Sequence, residues 1–338
     1  MHSIKVRLLL SIFLFLISGR LVADHGPNTT GGSVSTQTGE TLNEGQLGTS
    51  LRFDFTLMES LNASDLTRRA RNVSDDHPHF ESVRWLLLQT FALSYGVTDN
   101  FEVSGSLGFY RADDLRAAHV EDAGHDEDAG HDEDLGHVDI EDLGDVQGIT
   151  DMWLQGKYRY YKGPAGNLAT YLGIKLPTGR DDLRGDGEVD RLEPSLQPGS
   201  GAFDFLFGTA YSVWLTEWIS LDTSVQYTLR TENDEFKLGD RIDYGVATNF
   251  HLMEDPDQFP RVNLIGELNS RHIFKEEYRN NRKTNSGGTT LFVSPGIRVG
   301  FSERFSWTTS PQLPALQELN DEQQETLFRL VSAVTVNF

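Results

Sequence analysis

"WISLDTSVQYTLR" occupies residues 218–230, and its alternation decides the fold class. Ile219, Leu221, Val225, Tyr227 and Leu229 fall on one side of an extended chain, and Ser220, Asp222, Ser224, Gln226, Thr228 and Arg230 on the other. Period two marks a strand with one apolar face. "RIDYGVATNFHL" (241–252) repeats the pattern, with Ile242, Tyr244, Val246, Phe250 and Leu252 opposite Arg241, Asp243, Asn249 and His251. In "ITDMWLQGKYRYY" (149–161), Met152, Leu154, Tyr158 and Tyr160 oppose Gln155, Lys157 and Arg159. Each segment reaches the roughly 10 residues that a tilted strand needs to cross a bilayer.

Working outward, twelve segments read this way: 47–59, 82–96, 101–112, 148–162, 166–177, 202–215, 218–231, 239–253, 261–275, 288–301, 304–313 and 325–338. Their connections alternate in length. "VTDN" (97–100), "GPA" (163–165), "TE" (216–217), "SE" (302–303) and the longer "EDPDQFP" (254–260) are turns; 60–81, 113–147, 178–201, 232–238, 276–287 and 314–324 are longer loops. Short turns on one rim and long loops on the other predict an all-β, antiparallel transmembrane β-barrel of about 12 strands. An even strand count puts both barrel ends on the short-turn, periplasmic side. The alternative, a secreted β-sandwich, would be unusually long for that fold. A barrel also accounts for charge in mid-strand, because its polar face lines a lumen. Arg52, Lys157, Arg159, Asp222, Arg230, Arg241, Asp243, Glu267, Arg271 and Arg298 are the expected lumen residues. Phe203, Phe205, Leu221, Val225, Tyr244, Val246 and Leu264 are expected to face lipid, and Trp85, Tyr95, Trp153, Trp218 and Trp307 to supply aromatic girdles.

The two ends agree with a cell-surface destination. "MHSIKVRLLLSIFLFLISGRLVAD" (1–24) has Lys5 and Arg7 before an apolar run from Leu8 to Ile17, then small Ala23. That order is a secretory signal peptide, and the run is too short for a spanning helix, which takes about 20 residues. Residues 1–23 are therefore read as the signal, 24–45 as a periplasmic N-terminal segment and 46–338 as the barrel. At the other end, "ETLFRLVSAVTVNF" (325–338) alternates Phe328, Leu330, Val334, Val336 and Phe338 against Arg329, Thr335 and Asn337. A last strand closing on an aromatic residue resembles the C-terminal signal of bacterial outer-membrane barrels, so Phe338 is the expected handle for the barrel-assembly machinery. Outer-membrane lipid and lipopolysaccharide are the expected surroundings, in a Gram-negative bacterium.

The chain carries 29 Lys and Arg against 51 Asp and Glu. Loss of Lys5, Arg7 and Arg20 with the signal takes its formal charge from −22 to −25. Such a surface excludes nucleic acid, whose phosphates need cations. The chain has no cysteine, which excludes disulfides, thiolate chemistry and a lipidated N-terminus.

Several stretches carry a more specific signal: "ETLNEGQLGTSLRFDF" (40–55), "GITDMWLQGKYRYY" (148–161), "YLGIKLPTGRDD" (171–182), "LQPGSGAFDFLFGTAYS" (196–212) and "GDRIDYGVATNFHL" (239–252). In this order they resemble the outer-membrane family named for meta-pathway phenol degradation, whose members are usually described as transporters. The resemblance implies a twelve-stranded type of barrel, passage of a small and often apolar molecule, and no catalytic residue. The residues themselves agree on the last point. There is no Ser-centred nucleophile elbow, no HExxH and no phosphate-binding Gly-rich loop, so no enzyme is expected. Within these stretches Pro177 ends a strand. Gly179, Gly199 and Gly201 permit a loop over 178–201 that folds back to enter or cap the pore, against the plainer reading of a surface loop.

One stretch departs from the family pattern. "HVEDAGHDEDAGHDEDLGHVDIEDLGD" (119–145) places His119, His125, His131 and His137 six residues apart, with carboxylates such as Asp126, Asp128, Asp132 and Asp134 between them. It falls in the extracellular loop 113–147. Six-residue spacing does not preform a helical site. Extended, it holds successive histidines about 20 Å apart. It encodes a string of weak divalent-cation sites, the imidazoles suiting zinc or copper and the carboxylates calcium, or else a hydrated acidic loop. A second pattern, "DLRGDGEVDRLE" (182–193), has calcium-loop spacing at Asp182, Asp186, Asp190 and Glu193, but Arg184 stands where an oxygen ligand belongs. No cofactor is required. The expected function is a channel or transporter for a small solute; the alternative is a plugged barrel acting as a metal-binding or sensing surface protein.

Overall fold

A computed structural model of the chain describes residues 33–74, 78–120, 137–186, 191–252 and 258–338. The wall is a closed antiparallel barrel of twelve strands: β1 (Leu47–Met58), β3 (Trp85–Thr98), β4 (Phe101–Val120), β6 (Met152–Gly163), β7 (Gly166–Leu176), β8 (Asp204–Trp214), β9 (Ile219–Leu229), β12 (Arg241–His251), β13 (Arg261–Ile273), β16 (Gly288–Gly300), β17 (Phe305–Leu319) and β18 (Thr326–Asn337). Each pairs with its neighbour in sequence, and β1 closes on β18 from Gly48↔Asn337 to Met58↔Thr326. At the short-turn rim the Phe338 N–H donates to the Leu47 carbonyl at 2.8 Å, so the last residue seals the seam.

The apolar residues of the alternating pattern form the outer face. Phe203, Phe205, Val225, Tyr244, Val246 and Leu264 are all exposed, whereas the charged residues between them are half-buried or buried. This inverts a soluble protein's arrangement and suits a wall in hydrocarbon.

Three features differ from the sequence reading. Residues 113–147 were expected as a loop outside the sheet. Instead β4 runs on to Val120 and pairs with β5 (Val138–Ile149), His119 opposite Asp139. The short strand β2 (His79–Ser82) pairs with β4's other edge, His79 opposite His119. The reason is local: this three-stranded flap has apolar partners on both faces. Phe80, Ala118, Val138 and Ile140 pack against Leu61, Leu66, Ala70 and Val73 around helix α1 (Ala63–Asn72). Ala117, Leu115 and Leu143 pack against Leu192, Leu183 and Leu196 of the loop after β7. Helix α1 is capped by Asn62, whose side chain accepts from the Asp65 N–H while Asp65 accepts from the Asn62 N–H.

The second difference is strand β17, expected to end near 313, which continues to Leu319 opposite Gly288. Four short strands also edge the mouth: β10 (Glu232–Asn233), β11 (Phe236–Lys237), β14 (Glu277–Tyr278) and β15 (Asn281–Arg282) form a small sheet of their own. The third difference concerns the segment expected in the periplasm: from Ser33 to Leu42 it runs inside the barrel.

Candidate functional site

The segment 33–42 is held along its length by side chains from the inner face. Ser33 Oγ donates to Asp222 at 2.8 Å. The Ser35 N–H reaches Glu267 at 3.0 Å, and the Thr36 N–H donates to the same carboxylate. Further along, Gln37 N donates to Ser224 Oγ at 3.1 Å, Gly39 N to Ser212 Oγ at 2.8 Å and Leu42 N to Glu102 at 3.0 Å. Wall residues also donate to the segment: Arg52 to the Val34 carbonyl, Gln312 to Ser35 Oγ and Asn167 to Glu40. Buried backbone donors need acceptors, and here wall carboxylates and hydroxyls replace the missing strand neighbour. Fit is as strict as bonding. A Cβ on Gly39 would stand 2.2 Å from the Asn167 carbonyl oxygen, and one on Gly245 2.4 Å from Thr36 Oγ1.

The order of contacts gives direction. Leu42 and Thr41 lie by Glu102 and the Asp99 turn at the short-turn rim, whereas Val34 reaches Ile265 and Val331 in the middle of the barrel. Around this lower part are Lys157, within electrostatic reach of Glu102, Glu40 and Asp222, and Arg159, which donates to Asn100 and the Asp99 carbonyl. Arg298 donates to Thr308 at 3.0 Å.

Above the segment lies an arginine cluster. Asp54 is shared by Arg52 at 2.7 Å and Arg329 at 3.3 Å. Asp243 is shared by Arg241 and Arg271, both at 2.7 Å. Arg271 is within electrostatic reach of Asp54 and Arg52, so the two groups act as one: four guanidiniums around Asp54 and Asp243, with Glu267 in reach of Arg52 from below. Beside them Asp204 takes both Lys175 and Arg230 at 2.6 Å, and Lys175 also meets Asp151 at 3.0 Å.

The mouth is capped. The loop after β7 folds inward, with Gly179 N and Ser200 N donating to Asp151 at 2.9 and 3.0 Å. Its Glu193 meets His79 of β2 at 3.3 Å and also accepts from Lys283 of the loop after β15 at 2.5 Å. Burial opposes the charge of Glu193, but the His79 hydrogen bond and Lys283 prevail and hold its carboxyl at about 2. Glu81 and Glu276 beside them are pushed up to about 7, by burial first and then by the neighbouring Glu193 charge. His79 and Lys283 line both an outer cavity of about 1130 Å³ and an inner one of about 290 Å³ that reaches Arg271. They form part of the partition between mouth and lumen.

The ten expected lumen residues thus divide between a lower group (Lys157, Arg159, Asp222, Glu267, Arg298) and an upper one (Arg52, Arg230, Arg241, Asp243, Arg271). Of the expected metal ligands, His119 lies in β4, 3.6 Å from Glu141, and His137 just precedes β5. His125, His131, Asp126, Asp128, Asp132 and Asp134 lie outside the described residues, as does Asp190 of the calcium-like pattern. The sequence reading missed the lumen segment, although "SVSTQTGETL" (33–42), small and hydroxyl-rich, has the composition that a narrow polar lumen accepts. It also missed the His79–Glu193–Lys283 partition, whose members lie in three separate loops.

No curated protein matches the chain. Among solved structures, an outer membrane channel from Pseudomonas putida F1 superposes with a TM-score of 0.59 at 16% identity, over 88% of this chain and 97% of that one. The KdgM porin in complex with disordered oligogalacturonate gives a TM-score of 0.41 at 6% identity, over 86% of this chain and 99% of that one. The first likeness is one of fold: a closed barrel of outer-membrane type. The family described as "Putative MetA-pathway of phenol degradation" matches residues 128–313, more than half of the sequence, and the chain belongs to that family.

Proposed function

We propose that the chain is a channel of the Gram-negative outer membrane for a small anionic solute, with residues 33–42 as the closed-state occupant of its lower lumen. The observation that carries the reading is the upper cluster, where Arg52, Arg241, Arg271 and Arg329 surround Asp54 and Asp243, with Glu267 in electrostatic reach of Arg52. Even with Glu267 counted, one guanidinium charge is left in excess, in a confined space where fields act strongly and fixed forks match a carboxylate or phosphate. The barrel fold shared with the Pseudomonas putida channel supports passage across the outer membrane. A catalytic role has less support: the strand histidines His251 and His272 are engaged by Ser220 and Thr289 at 3.1 and 2.8 Å. Phe338 serves assembly. The acidic segment 119–145 collects divalent cations beside the anionic outer leaflet, its carboxylates holding calcium and its imidazoles zinc or copper.

The test is a planar-bilayer recording in a potassium chloride gradient. The full chain should show a reversal potential of chloride preference, and the Arg241→Gln, Arg271→Gln double variant should lose it. A cation-selective wild-type pore would refute the anionic reading. Absence of any conductance, even after deletion of 33–42, would refute the channel.

A further inference from the structure

The flap over the mouth carries a row of side chains that passage of a solute does not use. The pairings His79↔His119, Glu81↔Ala117, His119↔Asp139 and Ala117↔Glu141 put His79, Glu81, His119, Asp139 and Glu141 on one face of β2, β4 and β5. The other face is spent on helix α1. The His79 and His119 rings stack with centroids 5.9 Å apart and planes 14° from parallel. Glu193 comes to this face from the loop after β7. One ligand atom from each of His79, Glu81 and Glu193 lies within 4.8 Å of the others. Lys283 points at the same spot, its ammonium bonded to Glu193 and 3.4 Å from His79 Nε2.

We propose that His79, Glu81 and Glu193 form a zinc-type divalent metal site at the extracellular mouth, and that Lys283 is its built-in competitor. The chemistry of the donor set selects the ion. One imidazole with two carboxylates suits zinc, nickel or copper, whereas calcium needs 6–8 oxygens. A tetrahedral zinc at about 2.0–2.2 Å from each ligand needs donor atoms roughly 3.5 Å apart. The present spread, within 4.8 Å, therefore has to contract by about 1 Å when the ion enters. Water or a neighbouring carboxylate completes the shell.

Lys283 explains how the site is satisfied without metal. An ammonium held by Glu193 and aimed at the imidazole neutralises the same carboxylate that an ion would take. Metal entry must displace it, so Lys283 weakens the site and makes it selective for ions that bind imidazole well. Because the ligands come from β2 and from the loop after β7, the ion staples two loops across the partition between outer and inner cavities. The site is distinct from the six-residue repeat, since none of its three ligands lies in 119–145.

Calorimetric titration of zinc into the folded full-length barrel in detergent tests this. The wild type should show one tighter class of site that survives replacement of His125 and His131 by Asn. His79→Gln should lose that class. Lys283→Gln, which keeps every ligand, should tighten it at least tenfold. Heat-modifiable mobility on a gel certifies the folded barrel for each variant. An isotherm unchanged by His79→Gln would overturn the site. Zinc affinity unchanged or weakened by Lys283→Gln would overturn the competitor, and if His79→Gln does not fold, that variant decides alone.

Discussion

Glu267→Gln should loosen the lumen segment without altering its shape. The carboxylate is buried at 2% exposure and accepts from two successive backbone donors, Ser35 N and Thr36 N. Glutamine is isosteric and retains one acceptor oxygen, so the change removes charge rather than contact. A hydrogen bond to a charged group contributes about 1.5–3 kcal/mol and a neutral one about 0.5–1.5. Converting two bonds therefore costs about 2–3 kcal/mol, or roughly 30- to 150-fold in the ratio of seated to displaced segment at 1.4 kcal/mol per decade. The chain has no cysteine, so Val34→Cys gives a unique reporter, buried against Ile265 and Val331 while the segment is seated. When displacement is fast and labelling slow, the rate of modification by a small thiol reagent tracks the displaced fraction, whatever its absolute size. The Glu267→Gln, Val34→Cys protein should label roughly 30 times faster or more than Val34→Cys alone. Labelling within threefold of the parent would show that Glu267 does not anchor the segment and would refute the reasoning.

Three further outcomes are expected. Gly39→Val should leave the pore conducting constitutively in a bilayer recording, because its side chain has no room beside the Asn167 carbonyl. Val225→Arg, on the exposed apolar face, should lower barrel stability in denaturant titration by about 2–4 kcal/mol if it lies near the bilayer midplane. Deletion of Phe338 should reduce the folded fraction seen by heat-modifiable gel mobility while export continues, since the residue seals β18 to β1.

The wall was legible because a barrel strand is a local object. Alternation in 218–230 or 241–252 already separates the exposed Val225, Tyr244 and Val246 from Asp222 and Asp243, and pairing only repeats it. What escaped depends on long-range partners. β4 was stopped near Ala112 because beyond it Ala117, Ala118 and His119 do not alternate strongly; the strand persists because α1 packs on one face and Leu192 on the other. The mouth cluster joins residues more than 100 positions apart, His79 to Glu193, and nothing near either announces the other. Segment 33–42 was read as a lead-in because a chain of serines and threonines has no period. Its order comes from partners on the wall: acceptors at Asp222, Glu267 and Glu102, and donors at Arg52, Gln312 and Asn167.

Those acceptors also bear on how an anion could pass. With the segment seated, the lower carboxylates are occupied by donors: Ser33 Oγ on Asp222, Ser35 N and Thr36 N on Glu267, and Leu42 N on Glu102. Removing it wholesale widens the lumen and strips those carboxylates of these donors, leaving Lys157, Arg159 and Arg298 as the cations of the lower lumen. The upper end is held differently. Arg52 donates to the Val34 carbonyl while also bonding Asp54. A carboxylate or phosphate arriving in the upper cluster competes for that same guanidinium, and a charged acceptor outbids a neutral carbonyl by roughly twofold in bond strength. Solute binding and release of the segment's tip thus share one residue. Opening that begins at Val34 and leaves Leu42 anchored frees a path beside the segment and keeps Leu42 N on Glu102, so the segment yields the lumen at its tip and stays tethered at the short-turn rim.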